Sequence, residues 1–271
     1  MSVSFSPSRV AAIQMNSLDQ VQNNLDLAAE LVAAAAEEGA QFVLLPEYFY
    51  FMGKEDQDRL AFSEDIGNGP IQRFLSNLAR HHQIWISGGT VPIQSEDPLH
   101  LYNSNLLFDD EGHCVGRYDK IHLFGFKDST ESYAESDTLK PGNTVTTFTT
   151  PIGQIRASVC YDLRFPELYR LAPNCDLITA PAAFTYTTGA AHWEILLRCR
   201  AIENQCYVIA AAQTGMHPSG KRTFGHSMII DPWGNVMAEK ADGNGFVIAD
   251  LDLQRMNTIR QNLPSLQNRV L

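Results

Sequence analysis

The 271-residue chain carries 31 acidic against 20 basic side chains, a formal charge of −11, and is 44% hydrophobic, an ordinary globular composition with enough length to bury a substantial core. The acidic balance leaves no basic stripe for nucleic acid or for an anionic membrane surface, and no apolar run approaches the ~20 residues of a spanning helix. Five cysteines at irregular spacing, with no C-x-x-C pair, form neither a zinc ribbon nor a disulfide framework; with no signal-peptide pattern at the N-terminus, a reduced cytoplasmic chain without a metal is expected.

Val10–Met15 reads as a strand. Ser17-Leu-Asp-Gln20 then matches a capping box, and Val21, Leu25, Ala28, Val32 and Ala35 recur at helical spacing up to Gly39. Phe42–Pro46 is the next strand and ends at Glu47. A second helix is predicted from Asn68-Gly-Pro70 to His81, followed by strands at Ile84–Val91, Leu101–Phe108 and Val115–Lys120. The polar stretch His122–Asn143 reads as one long loop, of the length that is usually functional or disordered.

The second half repeats the alternation. Strands are expected at Thr144–Thr149, Gln154–Cys160, Asp176–Ala180, Tyr207–Ala212, Ser227–Asp231, Val236–Lys240 and Phe246–Asp250. Helices are expected from Pro166, from about Ala190 to Asn204, and from Asp252. Several strands are continuous apolar runs, which requires cover on both faces. With helices interspersed and no linker, the economical architecture is α/β: one domain, 1–271, built as a four-layer α-β-β-α sandwich.

Three polar residues fall at predicted strand ends, where α/β sheets collect their ligands: Glu47, Lys120 and Cys160. Glu47 follows an apolar strand and is flanked by Tyr48 and Phe49, surroundings that raise a carboxyl pKa toward the working range of a general base. Lys120 closes Arg117-Tyr-Asp-Lys120 and is placed to stabilise an oxyanion. Cys160 sits at a strand-to-helix turn, with Pro166 in the first helical turn. The free N–H groups of such a helix start favour an anion, so this thiol is expected to lose its proton more easily than a free cysteine. Each residue alone also has an ordinary reading: a strand-end acid, a solvated lysine, a core cysteine.

Together the segments Leu44-Leu-Pro-Glu47, Tyr118-Asp-Lys-Ile-His122 and Ala157-Ser-Val-Cys-Tyr-Asp-Leu-Arg-Phe-Pro-Glu167 resemble the catalytic motifs of the carbon–nitrogen hydrolases of the nitrilase superfamily. The likeness continues through Arg200-Ala-Ile-Glu-Asn204 and Gly225–Gly234, so it covers nearly the whole chain. It implies Cys160 as nucleophile, Glu47 as base, Lys120 as oxyanion stabiliser and a second glutamate in the loop, where Glu135 matches better than Glu131. No cofactor is implied. Within the superfamily the chain is most similar to the short amidases, and closest to the branch acting on deaminated glutathione; Asp231 before Pro-Trp-Gly234 favours that branch over the ω-amidases of α-ketoglutaramate and α-ketosuccinamate.

The mechanism so implied is attack by the Cys160 thiolate after Glu47 takes its proton, an oxyanion held by Lys120 and the Tyr161 backbone N–H, departure of ammonia, and hydrolysis of a thioester. A carboxylate-bearing substrate calls for a cation: Arg164, four residues after the nucleophile, with Arg222 and Lys127 as weaker candidates. Thr185 and Tyr186 are candidates for the wall of the site. A nitrile hydrolase, a carbamoylase, a Cys-His hydrolase using His122, His192 or His226, and a non-catalytic scaffold are the competing readings. Cys175, Cys199 and Cys206 read as core residues, and Glu194 and Arg198 as an i,i+4 ion pair. The family implies a homodimer, for which Asn257–Leu271 is a plausible exchanged arm.

Overall fold

The computed structural model describes residues 8–127, 132–171 and 174–270; Glu131 lies outside them. In chain order the elements are β1 (Ser8–Gln14), α1 (Val21–Glu37), β2 (Phe42–Leu44), α2 (Pro70–His82), β3 (Trp85–Ser87), β4 (Val91–Gln94), β5 (Leu101–Phe108), β6 (Cys114–Asp119), β7 (Gly125–Lys127), β8 (Ser132–Ala134), β9 (Thr147–Thr150) and β10 (Gly153–Ala157). They continue as α3 (Pro166–Arg170), β11 (Leu177–Ala182), α4 (Tyr186–Asn204), β12 (Tyr207–Ala212), β13 (Thr214–Met216), β14 (Arg222–Phe224), β15 (Ser227–Ile230), β16 (Val236–Lys240), β17 (Gly245–Leu251) and α5 (Leu253–Asn262).

One sheet runs β17-β1-β2-β3-β5-β4, with β6 added on β5; the other runs β16-β15-β12-β11-β10-β9. Period-2 alternation builds the layers. Val10 and Ala12 of β1 face inward with Phe42 and Leu44, against Ile155, Leu177 and Ile209 of the second sheet. Ala11 and Ile13 face outward onto Leu25, Ala28 and Val32 of α1 and Ile71, Leu75 and Ala79 of α2. On the far side, Trp193, Leu197 and Ala201 of α4 cover the second sheet. The central strands of each sheet are buried on both faces, and the four layers are α-β-β-α as expected.

Several local expectations need correction. Ser17 does not cap α1: its hydroxyl donates to Phe49 O at 2.9 Å, its N–H is taken by Gln213 Oε1 at 3.0 Å, and the residue preceding α1 is Gln20. A tertiary bond between the sheets outcompetes the local cap. The segment Ile84–Val91 is two strands, broken at Gly88-Gly89. Gly89 turns there at φ +53°, and a Cβ would come within 2.0 Å of Pro46 O, so only glycine lets this turn pack beneath Glu47. The stretch 122–143 carries the hairpin β7–β8 and a 3-10 turn at Glu135–Asp137 rather than structureless loop. Helix α4 begins at Tyr186, with Thr185 as N-cap, and Cys199 on it is exposed rather than in the core. After α5, Gln205 Nε2 donates to Leu263 O at 2.7 Å and Arg269 Nη2 to Arg170 O at 3.2 Å.

Candidate active site

Strands β2 and β10 each end in a tight turn that aims one side chain into the seam between the sheets. After Glu47 the backbone turns left-handed at Tyr48 (φ 55°), fixed by the Tyr48 N–H to Thr90 Oγ1 at 3.0 Å. After β10, Cys160 itself is left-handed (φ 50°), uncommon for a residue with a side chain, and opens a 3-10 turn to Arg164. The turn is held by Asp162, which is fully buried. Its Oδ2 accepts from Val159 N at 2.8 Å and Tyr118 OH at 2.7 Å, and its Oδ1 from His122 N at 3.0 Å, with His122 Nδ1 at 2.7 Å. Asp162 therefore ties the cysteine turn to the residues flanking Lys120. Lys120 extends from the end of β6; its carbonyl accepts from Gly142 N at 2.9 Å, and a Cβ on Gly142 would strike Asp119 O at 2.2 Å.

The three predicted residues meet. Lys120 Nζ lies 2.9 Å from Glu47 Oε1 and 2.8 Å from Glu135 Oε2, and Cys160 lines the same lobe of a cleft as the two glutamates. Asn103 Nδ2 donates to Glu47 Oε1 at 2.8 Å and Ala183 N–H to Oε2 at 2.9 Å. Glu135 accepts from Tyr48 OH at 3.0 Å and Phe124 N at 2.7 Å. Burial raises the Glu47 pKa, and the Glu135 charge adds to the rise, while Lys120 opposes it. Burial alone would discharge Lys120, but Glu135 and Glu47 outweigh it and hold the ammonium well above its usual range. For Cys160, burial and then the Glu47 charge push the thiol well up, against Lys120. This overturns the expectation of an acidified cysteine: a sealed site with two carboxylates outweighs the partial charge of a short turn. The thiol is therefore held protonated at rest, and a reaction at this sulfur would need a base; Glu47 lines the same lobe of the cleft.

Cys160 stands where two lobes of a cleft join. The smaller lobe is lined by Phe124, Tyr161, Arg164, Phe184, Thr185 and Thr188. The larger is lined by Glu47, Glu135 and Tyr133 with a charged rim of Asp56, Arg59, Lys221 and Arg222.

A family model for carbon-nitrogen hydrolases matches residues 9–261. The chain belongs to the carbon-nitrogen hydrolase family. This hydrolase is 40% identical over 264 residues to the deaminated glutathione amidase of Yersinia enterocolitica, covering 96% of this chain and 92% of that one. Its fold superposes on the NitFhit protein of C. elegans with a TM-score of 0.89 at 36% identity, covering 98% of this chain and 66% of that longer one. A mutant of an amidase from Nesterenkonia, solved after Michael addition of acrylamide at its active-site cysteine, matches with a TM-score of 0.78 at 27% identity over 96% of this chain and 99% of that one.

In the hydrolase, Arg164 lines the smaller lobe, its guanidinium 5.3 Å from the Phe184 ring and 5.7 Å from Tyr161, with Nη1 3.2 Å from His192 Nδ1. Thr185 borders both lobes while capping α4. Arg222 reaches the rim, stacked 4.0 Å over Tyr186, and Tyr186 itself faces outward at 42% exposure instead of lining the cleft. Lys127 does not reach the site: it is exposed on β7, where the half-buried Phe126 takes the alternate side. His122 and His226 are engaged by Asp162 and Glu239, and His192 by Arg164. Glu194 and Arg198 form the expected pair at 3.1 Å. Asn103, Asp162 and Arg59 were not singled out by the sequence reading. The run Asn103-Ser-Asn105 in an otherwise apolar strand, and an acid two residues beyond the cysteine, were the available signals.

Proposed function

We propose that the protein is an amidase that hydrolyses deaminated glutathione, with Cys160 as nucleophile, Glu47 as base and then acid, and Lys120 with the Tyr161 backbone N–H as oxyanion donors. The observation that carries this is the convergence of Cys160 and the buried Glu47 on one lobe of the cleft, with Glu47 also holding Lys120 at 2.9 Å. Glu47 takes the thiol proton as sulfur adds to the amide carbon. The oxyanion forms against Lys120, whose charge is already fixed by Glu135, so no reorganisation is needed as charge develops. Glu47 returns the proton to the departing nitrogen, leaving a thioester on Cys160, and then activates the water that cleaves it. Glu135 acts through Lys120 by holding its ammonium.

Deaminated glutathione has a ketone where glutathione has its glutamyl amine. Cleavage of its γ-amide releases cysteinylglycine, so the leaving group differs from the ammonia that the sequence reading expected. Arg164, in the lobe away from Glu47, is positioned for the acyl-side carboxylate. We further infer a homodimer joined through the face of α4, where Ile195 and Ile202 are exposed, as Trp233 and Leu171 are elsewhere in the chain. A thiol nucleophile also fits a reducing, cytoplasmic setting.

The test is incubation with deaminated glutathione, α-ketoglutaramate and a simple nitrile, with cysteinylglycine and ammonia quantified and the acyl adduct on Cys160 sought by intact mass. Turnover of the first in preference to the others is expected. Preference for α-ketoglutaramate would move the protein to the ω-amidases; no adduct and no product with any of the three would refute the amidase reading.

A further inference from the structure

The larger lobe ends in a group of cations that the mechanism above leaves unused. Arg59 is only 5% exposed, yet it lines the cleft. Its guanidinium stacks 4.3 Å above the Tyr48 ring, and Nη2 donates to Asp56 Oδ1 at 2.9 Å; among the described residues its buried Nε has no hydrogen-bond partner. Lys221 Nζ approaches the other oxygen of Asp56 at 3.4 Å and lies 4.5 Å from the Tyr133 ring centroid. A single carboxylate thus serves two cations, and Arg222 adds a third on the same wall. A buried arginine with unused donor capacity, held rigidly by an aromatic face and an acid, is built to receive a second anion.

The geometry also fixes which part of a substrate lies here. Glu47, which must protonate the departing nitrogen, lines this lobe and is absent from the wall of the smaller one. A substrate whose scissile nitrogen faces Glu47 would then have its amine side in the Arg59 lobe and its acyl side toward Arg164. We propose that Arg59 and Lys221, positioned by Asp56, bind an anionic group on the amine leaving group, so that this enzyme selects amides carrying a carboxylate on both sides of the scissile bond. This rests on the amidase reading and deepens it: the glycine carboxylate of deaminated glutathione is the group that would meet Arg59.

The experiment compares kcat/KM for deaminated glutathione and for the same compound with its glycine carboxylate converted to the carboxamide. Charge-assisted bonds in such a site correspond to a preference on the order of tenfold to a hundredfold for the carboxylate in the wild type. Arg59→Met is expected to bring that ratio close to one, and Arg59→Lys to restore part of it. Because Arg59 is buried, Lys221→Met, at a half-buried position, is measured alongside and is expected to lower the same ratio. A general loss of folding or of catalytic geometry would lower both rates and leave the ratio intact, which would overturn the proposal. So would a wild type that hydrolyses acid and carboxamide equally. A wild type inactive on both compounds would instead remove the deaminated-glutathione reading, and the present inference with it.

Discussion

Asp162→Asn replaces one oxygen of the buried carboxyl that joins the cysteine turn to the lysine segment, and its cost follows from the hydrogen bonds on each side. Two backbone donors, Val159 N and His122 N, point at different oxygens of this carboxyl. An amide has only one oxygen, so either orientation leaves one of these N–H groups facing an NH2. Tyr118 OH can rotate to accept and His122 Nδ1 can change tautomer, but neither backbone N–H can adapt. The cheaper orientation strands His122, which is half-buried, and spares Val159, which is fully buried. One orphaned donor plus the loss of charge assistance costs about 2–3 kcal/mol. At roughly 2–4 °C per kcal/mol for a chain somewhat smaller than this one, the melting temperature should fall by roughly 4–12 °C. The loosened side is the one that follows Lys120, so kcat should fall roughly ten- to a hundredfold as the ammonium loses its fixed position. Differential scanning calorimetry and initial rates at saturating substrate read both effects. A variant melting within about 1 °C of the wild type with unchanged kcat would show that Asp162 does not hold the site together.

Four further outcomes are expected. Lys120→Met, which removes an oxyanion donor, should lower kcat at least about a hundredfold while substrate protection against thermal unfolding persists. The acid limb of kcat/KM should lie above the ordinary carboxylate range, because the base must be ionised and burial raises the Glu47 pKa; Glu135→Gln removes a charge that adds to this rise and should move the limb to lower pH. Iodoacetamide should alkylate resting Cys160 more slowly at pH about 8 than it alkylates free cysteine, since burial and Glu47 push this thiol up; mass spectrometry of the 160 peptide follows it. Arg164→Met should raise KM for α-keto acid amides about tenfold or more, with a smaller effect on an acyl group lacking the carboxylate.

Much of this site is legible in the chain because each member follows an element with a strong local signature. Glu47, Lys120 and Cys160 come directly after strand runs whose apolar pattern fixes where the backbone stops, and the C-terminal ends of those strands meet in the folded sheets. What was not legible depends on side-chain direction or on a second segment. Arg59 and Asp56 sit in a 3-10 segment whose sequence reads as an ordinary surface ion pair; only the packing of that segment over Tyr48 turns the guanidinium into the cleft. Lys127 failed for the converse reason: in a two-residue period one position is enough to put a side chain on the wrong face of β7. The acidity of Cys160 was argued from the turn that carries it, a local term. The ruling terms, exclusion of water and two glutamates from distant segments, exist only after folding.

The same point explains why the buried charges can be stable at all. Two carboxylates around one ammonium would be a liability in a dry site, since desolvation can exceed the attraction between them. Here each oxygen has a further donor: Asn103 and Ala183 N–H for Glu47, and Tyr48 OH and Phe124 N–H for Glu135. These come from β5, the end of β11, the turn after β2 and the segment before β7, so the charge cluster is satisfied only when both sheets and the hairpin are in place. The cluster retains one negative charge more than Lys120 can neutralise, and the Glu47 and Glu135 charges push the Cys160 thiol up. A single proton can therefore pass from sulfur to Glu47 without a buried charge being created or destroyed. The arrangement keeps the thiol inert at rest and makes its activation depend on a substrate that supplies the electrophilic carbon.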